Sequence, residues 1–498
     1  MSDELVVAMD GHHQQAGLVA TARRTELTPA ELWLRYFALG GAADPAHVEN
    51  YLRGGLLLPA VQADLLAQAV NERFDELVRR RRAPYSRRVR ETRPGRGPLA
   101  ALVELLEGTH RTPPERFPRV LEAAGATLGV GMTAYLADYE QRRLVPALPP
   151  GERRAPLEVA STVAGRAFRR VEVLPTEVGG PRLWVPLLDG TERLGVLEVV
   201  LDRTEDLYDP VLREQCGWVA HLAGHLVVGL TEYGDALDAV RRGRPRTAAA
   251  ELIWQLLPPL TAATAEVEVA GLLEPTHAVG GDAFDYALGE DTAAIAIFDA
   301  AGHSLLSGMV AAAALAAYRS ARRSGAGLFE QARAIDDTVG DLFARTSCFV
   351  TGVLLEIDTA SGRLRYLIAG HPAPLLVRDT KVVKVLDQAG RPPFGILAAR
   401  NPPAGLTDRV TLAVGEEALQ PGDCLLLYTD GLVEARDRNG EFFGEERLTG
   451  LLHRATAAGQ PPPETLRRLM HAVLDHQAGV LQDDATAVLA RWNGRPAR

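Results

Sequence analysis

Four times in the second half of this chain an apolar, strand-forming run meets an aspartate set among small residues. VGGDAFDYAL puts Gly280 and Gly281 ahead of Asp282, with Asp285 three residues on. The run Ala293 to Phe298 ends in Asp299 and continues as Ala300-Ala301-Gly302-His303. CLLLYTDG carries Asp430 into a glycine turn, and Asp483-Asp484-Ala485-Thr486 opens the apolar run Ala487 to Ala490. The apolar runs predict strands, and a helix of small residues is predicted from about Leu305 to Arg323. Any one such aspartate is ordinarily a turn former or a helix cap. Four of them at strand ends, with few histidines and no cysteine cluster, predict hard oxygen donors suited to Mg²⁺ or Mn²⁺ rather than Zn²⁺. Gathered carboxylates repel one another unless cations bridge them. Two such ions about 3.5–4 Å apart can share a water, lower its pKa and hold phosphate oxygens for in-line displacement.

In order and spacing these segments resemble the SpoIIE/RsbU type of bacterial phosphatase, within the protein phosphatase 2C-like (PPM) superfamily. The resemblance covers roughly residues 245–493 and rests on VGGDAFDY, FDAAGH, FVTGVLLEID, AGHPAPLL, PPFGI, LLYTDGLVEARD and DDATAVLA. It implies an α-β-β-α sandwich, two sheets face to face with helices outside, and two Mn²⁺ or Mg²⁺ ions in a cleft at one end. Carried over by motif, Asp282, Asp299, Asp430 and Asp483 are the expected catalytic, metal-holding positions. The carbonyl of Ala300 and the carboxylate of Asp484 join them, with Asp285 in a supporting role. The implied activity is hydrolysis of phosphoserine or phosphothreonine on a partner protein, with a phosphorylated STAS-type anti-sigma-factor antagonist as the expected substrate. One position departs: where the family has glycine after the histidine this chain has Ser304, which predicts a stiffened turn. His303 is expected to shape the site without binding metal. His371 in AGHPAP reads either as a general acid or as a polar turn residue, and its glycine and proline neighbours favour the turn.

The rest of the chain predicts an α+β multidomain protein. Residues 1–24 show no clear periodicity and are expected to be a flexible lead-in, with a His-Gln cluster from His12 to Gln15. Residues 25–80 read as a helical region, opened by Thr28-Pro29-Ala30-Glu31 as a capping box with proline at the first helical position. Residues 81–97 read as an arginine-rich linker: Arg79 to Arg96 holds nine arginines, two prolines and one acidic residue. Residues 98–233 alternate helices and strands. PLEVASTVAGRAFRR followed by LWVPLLDGTERLGVLEVV resembles a GAF domain, a small α/β sensor fold that implies a small ligand. His221 and His225, four apart on its closing helix, could share a face, but no third ligand is visible and surface or core histidines are the favoured reading. Residues 234–258 are expected to form a continuous connecting helix into the phosphatase-like segment, 259–493.

Composition narrows the class. A formal charge of −10 argues against a general nucleic-acid binder, even with the basic linker, whose single aromatic, Tyr85, makes no stacking platform. No apolar run is long enough to span a bilayer, and the N-terminus lacks the order of a signal peptide, so a cytoplasmic location is expected. Cys216, Cys348 and Cys424 are far apart among apolar residues and read as buried small hydrophobes. Lysine is confined to Lys381 and Lys384, a bias read as that of a GC-rich genome. A nucleotide-handling enzyme would need a phosphate-cradling loop, and Gly280-Gly281-Asp282 is too short and too acidic for one. The remaining alternative is a non-catalytic module that binds a phosphoprotein or an anti-sigma partner. A homodimer stays open.

Overall fold

The computed structural model describes residues 2–77, 95–274, 278, 280–302, 304–343, 348–396, 413–479 and 481–495. The arginine-rich linker, apart from Gly95 to Gly97, and His303 lie outside the described residues. Two compact units result, Met1–Pro94 and Gly95–Arg498.

Among its described residues the first unit has four helices: α1 (Ser2–Ala22), α2 (Pro29–Ala38), α3 (Pro45–Leu52) and α4 (Ala60–Leu77). Leu18, Leu32, Tyr36, Tyr51 and Leu66 form its core. The Thr28 capping box is present, with the Thr28 N–H donating to Glu31 at 2.8 Å and the Glu31 N–H to Thr28 Oγ1 at 3.3 Å. The flexible lead-in is corrected: residues 2–22 are helical. Its inward positions include Gln14 and Gln15, both buried, so no apolar period announces the helix. The Gln14 carbonyl oxygen accepts from Tyr51 Oη at 2.7 Å while its Nε2 has no partner among the described residues, and Gln15 donates to the Tyr51 carbonyl at 2.9 Å.

The second unit begins with α5 (Pro98–Thr109) and α6 (Phe117–Leu128), then β1 (Gly131–Ala137), β2 (Arg143–Pro146), β3 (Leu157–Glu158), α7 (Val163–Arg170), β4 (Leu174–Thr176), β5 (Arg182–Asp189), β6 (Glu192–Val200) and α8 (Pro210–Thr231). The six strands form one sheet in the order β3-β2-β1-β6-β5-β4. Leu105, Leu121, Val219 and Val227 from α5, α6 and α8 pack on one face. Phe168 of α7 packs with Tyr135 and Trp184 on the other.

The expected continuous connector is also corrected. It is two short helices, α9 (Ala236–Arg241) and α10 (Ala248–Leu256), parted at Gly243 and Pro245, with Thr247 capping the second. Glycine and proline are the two residues least compatible with an uninterrupted helix.

From there the chain builds two facing sheets. The strands are β7 (Thr261–Ala263), β8 (Val267–Glu274), β9 (Asp282–Leu288), β10 (Thr292–Ala300), β11 (Val350–Asp358), β12 (Arg363–Ala369), β13 (Leu375–Arg378), β14 (Lys381–Val385), β15 (Gly390–Arg391), β16 (Gly415–Ala418), β17 (Cys424–Tyr428) and β18 (Ala485–Trp492). One sheet runs β15-β12-β11-β10-β9 with β16 beside β12, the other β14-β13-β17-β18-β8-β7. Helices α11 (Leu305–Arg323) and α12 (Leu328–Phe343) lie on the first sheet; α13 (Asp430–Val433) follows β17, and α14 (Gly444–Ala457) and α15 (Pro462–His476) lie on the second. Phe284, Ile295, Ile297 and Val353 meet Leu425, Leu427 and Val488 between the sheets. This is the expected α-β-β-α sandwich. Its core strands are buried on both faces, which is why they read as apolar runs rather than alternating ones. Among the described residues no helix is long and apolar enough to cross a membrane.

The upstream sheet touches the sandwich. Glu192, buried at the start of β6, accepts the Thr261 N–H at 2.5 Å. The Arg246 guanidinium lies 4.2 Å from the Tyr139 ring and 4.5 Å from that of Trp254 on α10.

Candidate active site

The four aspartate segments arrive at one end of the sandwich because neighbouring strands run antiparallel. Asp282 opens β9 and Asp299 lies near the end of β10, and the pairing register sets the two directly opposite. Like charges facing each other across an antiparallel pair destabilise it. From the other sheet, β17 delivers Thr429 and Asp430, and Asp483 and Asp484 precede β18.

Short polar links lace these ends together. Thr429 Oγ1 donates to Asp282 Oδ2 at 2.8 Å and accepts the Thr486 N–H at 2.9 Å. Asp484 Oδ2 accepts the backbone N–H groups of Gly280 and Gly281 at 2.7 and 2.8 Å. Two glycines make the approach possible. A Cβ on Gly431 would lie 1.8 Å from the Asp484 carbonyl oxygen, and one on Gly281 would lie 2.5 Å from that of Ala300. Side chains at either position would push the segments apart, and the second would cover the carbonyl expected to help hold a metal.

Burial is graded across the site. Asp282 and Asp484 are buried, Asp299 is partly so, and Asp430 and Asp483 face solvent. Burial and the neighbouring Asp299 and Asp484 hold the Asp282 carboxyl well above the usual range. Burial, then Asp430, Asp483 and Asp484, pushes Asp299 up to about 7. Partial burial of its carboxyl, then the nearby Glu434 and Asp483, raises Asp430. Burial also raises Asp484, against the two backbone N–H groups it accepts. The common cause is crowded negative charge in a low-dielectric setting.

Among the described residues no three of these groups converge tightly enough to enclose an ion as they stand. The donors nevertheless fit Mg²⁺ or Mn²⁺ in chemistry. All are carboxylate or carbonyl oxygens, with no sulfur or imidazole between them, and their uncompensated charge is what a divalent cation neutralises.

Other expected residues find different places. Asp285 lies three residues beyond Asp282, where the strand alternation turns it to the opposite face. There it accepts from Arg319 at 2.7 Å and Arg322 at 2.9 Å, anchoring α11 to β9. Ser304 caps α11 in extended conformation, φ −109°, so no glycine is needed there, and its N–H donates to Ser307 Oγ at 3.3 Å. The stiffened turn is therefore not imposed. His371 is buried, with Nδ1 2.8 Å from Thr351 Oγ1. Burial pulls its pKa down to about 3, which keeps it neutral and unsuited to donate a proton near neutrality. His221 and His225 are exposed, and His225 Nδ1 pairs with Asp189 Oδ1 at 2.6 Å, not with a metal set. Sequence reasoning missed Thr429 and Thr486. The threonine of TDG and that of DDAT were there to be seen, but their bond crosses between segments 57 residues apart.

Residues 289–493 match the family described as Stage II sporulation protein E (SpoIIE). The chain is 25% identical over 254 residues to Protein IcfG of Synechocystis sp., covering 45% of this chain and 37% of that one. It is 26% identical over 175 residues to Phosphoserine phosphatase RsbP of Bacillus subtilis, covering 34% and 40% respectively. The chain therefore spans well under half the length of these relatives. Among solved structures, that of the RsbU and RsbW domains of Rv1364c from Mycobacterium tuberculosis aligns with TM-score 0.39 and 24% identity over 47% of this chain and 63% of that one.

Proposed function

We propose that this chain, whose residues 289–493 carry a SpoIIE-type domain, is a metal-dependent phosphatase of phosphoserine or phosphothreonine in proteins. Asp282, Asp299, Asp430 and Asp483, with the Ala300 carbonyl, are the groups that would hold two Mn²⁺ or Mg²⁺ ions. The observation that carries this reading is the meeting of both sheet ends on carboxylates whose charge the protein leaves uncompensated. When bound, such ions activate water and neutralise charge on the transferring phosphoryl group.

The chain's own residues prepare that chemistry. Thr429 fixes the rotamer of Asp282 through the bond to its Oδ2. Asp484 holds the Gly280-Gly281 backbone and so the start of β9; its second oxygen remains available as a donor. Asp430 and Asp483, exposed to solvent, are the members of the set that an entering phosphorylated side chain would meet first. The name of the relative RsbP supports phosphoserine as one substrate. The finer reading is a phosphorylated STAS-type anti-sigma-factor antagonist as partner, with the upstream α/β module acting as a GAF-like sensor, its small ligand included, whose state reaches the site through α9 and α10.

The test is phosphate release from a phosphorylated STAS protein and from an aryl phosphate, with and without Mn²⁺. Asp299→Asn and Asp430→Asn should each abolish the Mn²⁺-dependent rate without unfolding the chain. Full activity in either variant sinks the assignment. Tight binding of the phosphoprotein by wild-type chain without any hydrolysis would return the sequestering module instead.

A further inference from the structure

Away from the carboxylates, between α7 of the upstream module and the turn joining α14 to α15, lies a cavity of roughly 350 Å³. Four arginines line it, Arg166, Arg169 and Arg170 from α7 and Arg468 from α15, against the carboxylates of Glu172 and Glu464. The three on α7 follow at i, i+3 and i+4, so they share one helix face.

The carboxylates do not neutralise this set. Glu464 is buried and already engaged: Arg467 reaches it through two bonds of 2.7 and 2.9 Å, and Arg468 through a third of 2.9 Å. Arg169 stands 3.9 Å from the same carboxylate, and Glu172 is 4.0 Å from Arg170. The Arg166 side chain has no hydrogen-bond or ion-pair partner among the described residues. Burial, then the nearby Arg467, Arg468 and Arg170, draws the Arg169 pKa down despite the help of Glu464. The buried Glu464–Arg467 pair fixes Arg468 from beneath, so part of the arrangement is held before any ligand arrives.

We propose that this pocket binds a small polyanion of the phosphate class, a free polyphosphate or the phosphate chain of a nucleotide, and thereby clamps α7 to the α14–α15 turn. Guanidinium forks match phosphate oxygens in pairs, which is why arginine rather than lysine suits such a site. The inference does not depend on the phosphatase reading, since the pocket shares no residue with the carboxylate site.

The test is calorimetric titration of the full chain with inorganic pyrophosphate in EDTA, which keeps divalent ions from recruiting the anion to the aspartates. Saturable one-to-one binding is expected, weakened about tenfold or more in the double variant Arg166→Gln, Arg170→Gln, whose exposed side chains leave the ligand-free thermal midpoint in place. Asp299→Asn should leave pyrophosphate affinity unchanged. A second arm compares adenosine and guanosine triphosphates: markedly tighter binding than pyrophosphate identifies a nucleotide, and equal affinity identifies the phosphate chain alone. Equal affinity for wild type and the double variant, or no saturable binding, overturns the proposal.

Discussion

Asp299 is a side chain whose ionisation the fold resists. Its carboxyl titrates near 7, against an ordinary aspartate near 4, because it is buried beside other carboxylates. A raised pKa means that the protonated form is the one the folded state favours. That stability is complete below the unfolded pKa and is lost as pH rises through about 7. In EDTA the thermal midpoint should therefore fall between about pH 4 and 7 and level off above, and Mn²⁺ should remove much of the fall by binding only the folded state. Glu192, raised by burial to about 7, acts in the same direction, so the diagnostic is the difference between wild type and Asp299→Asn. The variant should show the flatter profile; two identical profiles would mean that the carboxylates are not crowded. Thr429 gives a second test. Thr429→Val removes the bond to Asp282 and the acceptor of the Thr486 N–H, at a stability cost of about 1–3 kcal/mol. It should also weaken Mn²⁺ binding, measured by titration, because Asp282 loses the hydroxyl that orients it.

At the level of elements, each aspartate segment sits on a strand end that the apolar pattern marked, and α11 spans the predicted residues. What the pattern did not reveal was α1, whose inward glutamines replace apolar residues, and the break between α9 and α10. Asp285 illustrates a division that sequence proximity hides. Three residues from Asp282, it belongs to the seating of α11 rather than to the carboxylate cluster. Asp285→Ala should lower stability in chemical denaturation by about 3 kcal/mol, since it strands two partly buried guanidiniums. Asp299→Asn should show no comparable loss in EDTA, where it relieves repulsion. Equal destabilisation by both substitutions would show that the two aspartates do one job.

Across the whole molecule, residues 95–498 form one compact unit although they contain an upstream sheet and a complete sandwich. Glu192 on the Thr261 N–H and Arg246 between two rings are among the contacts that join them. A chain starting at Gly95 should fold and melt in a single calorimetric transition. Glu192→Leu leaves the Thr261 N–H without its acceptor and should lower that midpoint or split the transition. A truncated chain with two separate transitions from the outset would show that the upstream sheet and the sandwich are independent.

Legibility followed the range of the interaction. The strands, their aspartate ends and the capping box at Thr28 could be read along the chain, because periodicity and capping are local properties; the sandwich was expected only from the family resemblance of the motifs. The opening observation, four aspartates on strand ends, thus specified the residue types and donor chemistry in advance. Their assembly could not be read that way. Asp282 meets Asp299 across the single hairpin of β9 and β10, but the threonine that crosses between the sheets, the close passage of Gly431 over Asp484 and the charge left uncompensated among them arise between segments far apart in sequence. Strand pairing inside each sheet makes some of these approaches, and the packing of one sheet on the other makes the rest and removes the water that would otherwise screen them.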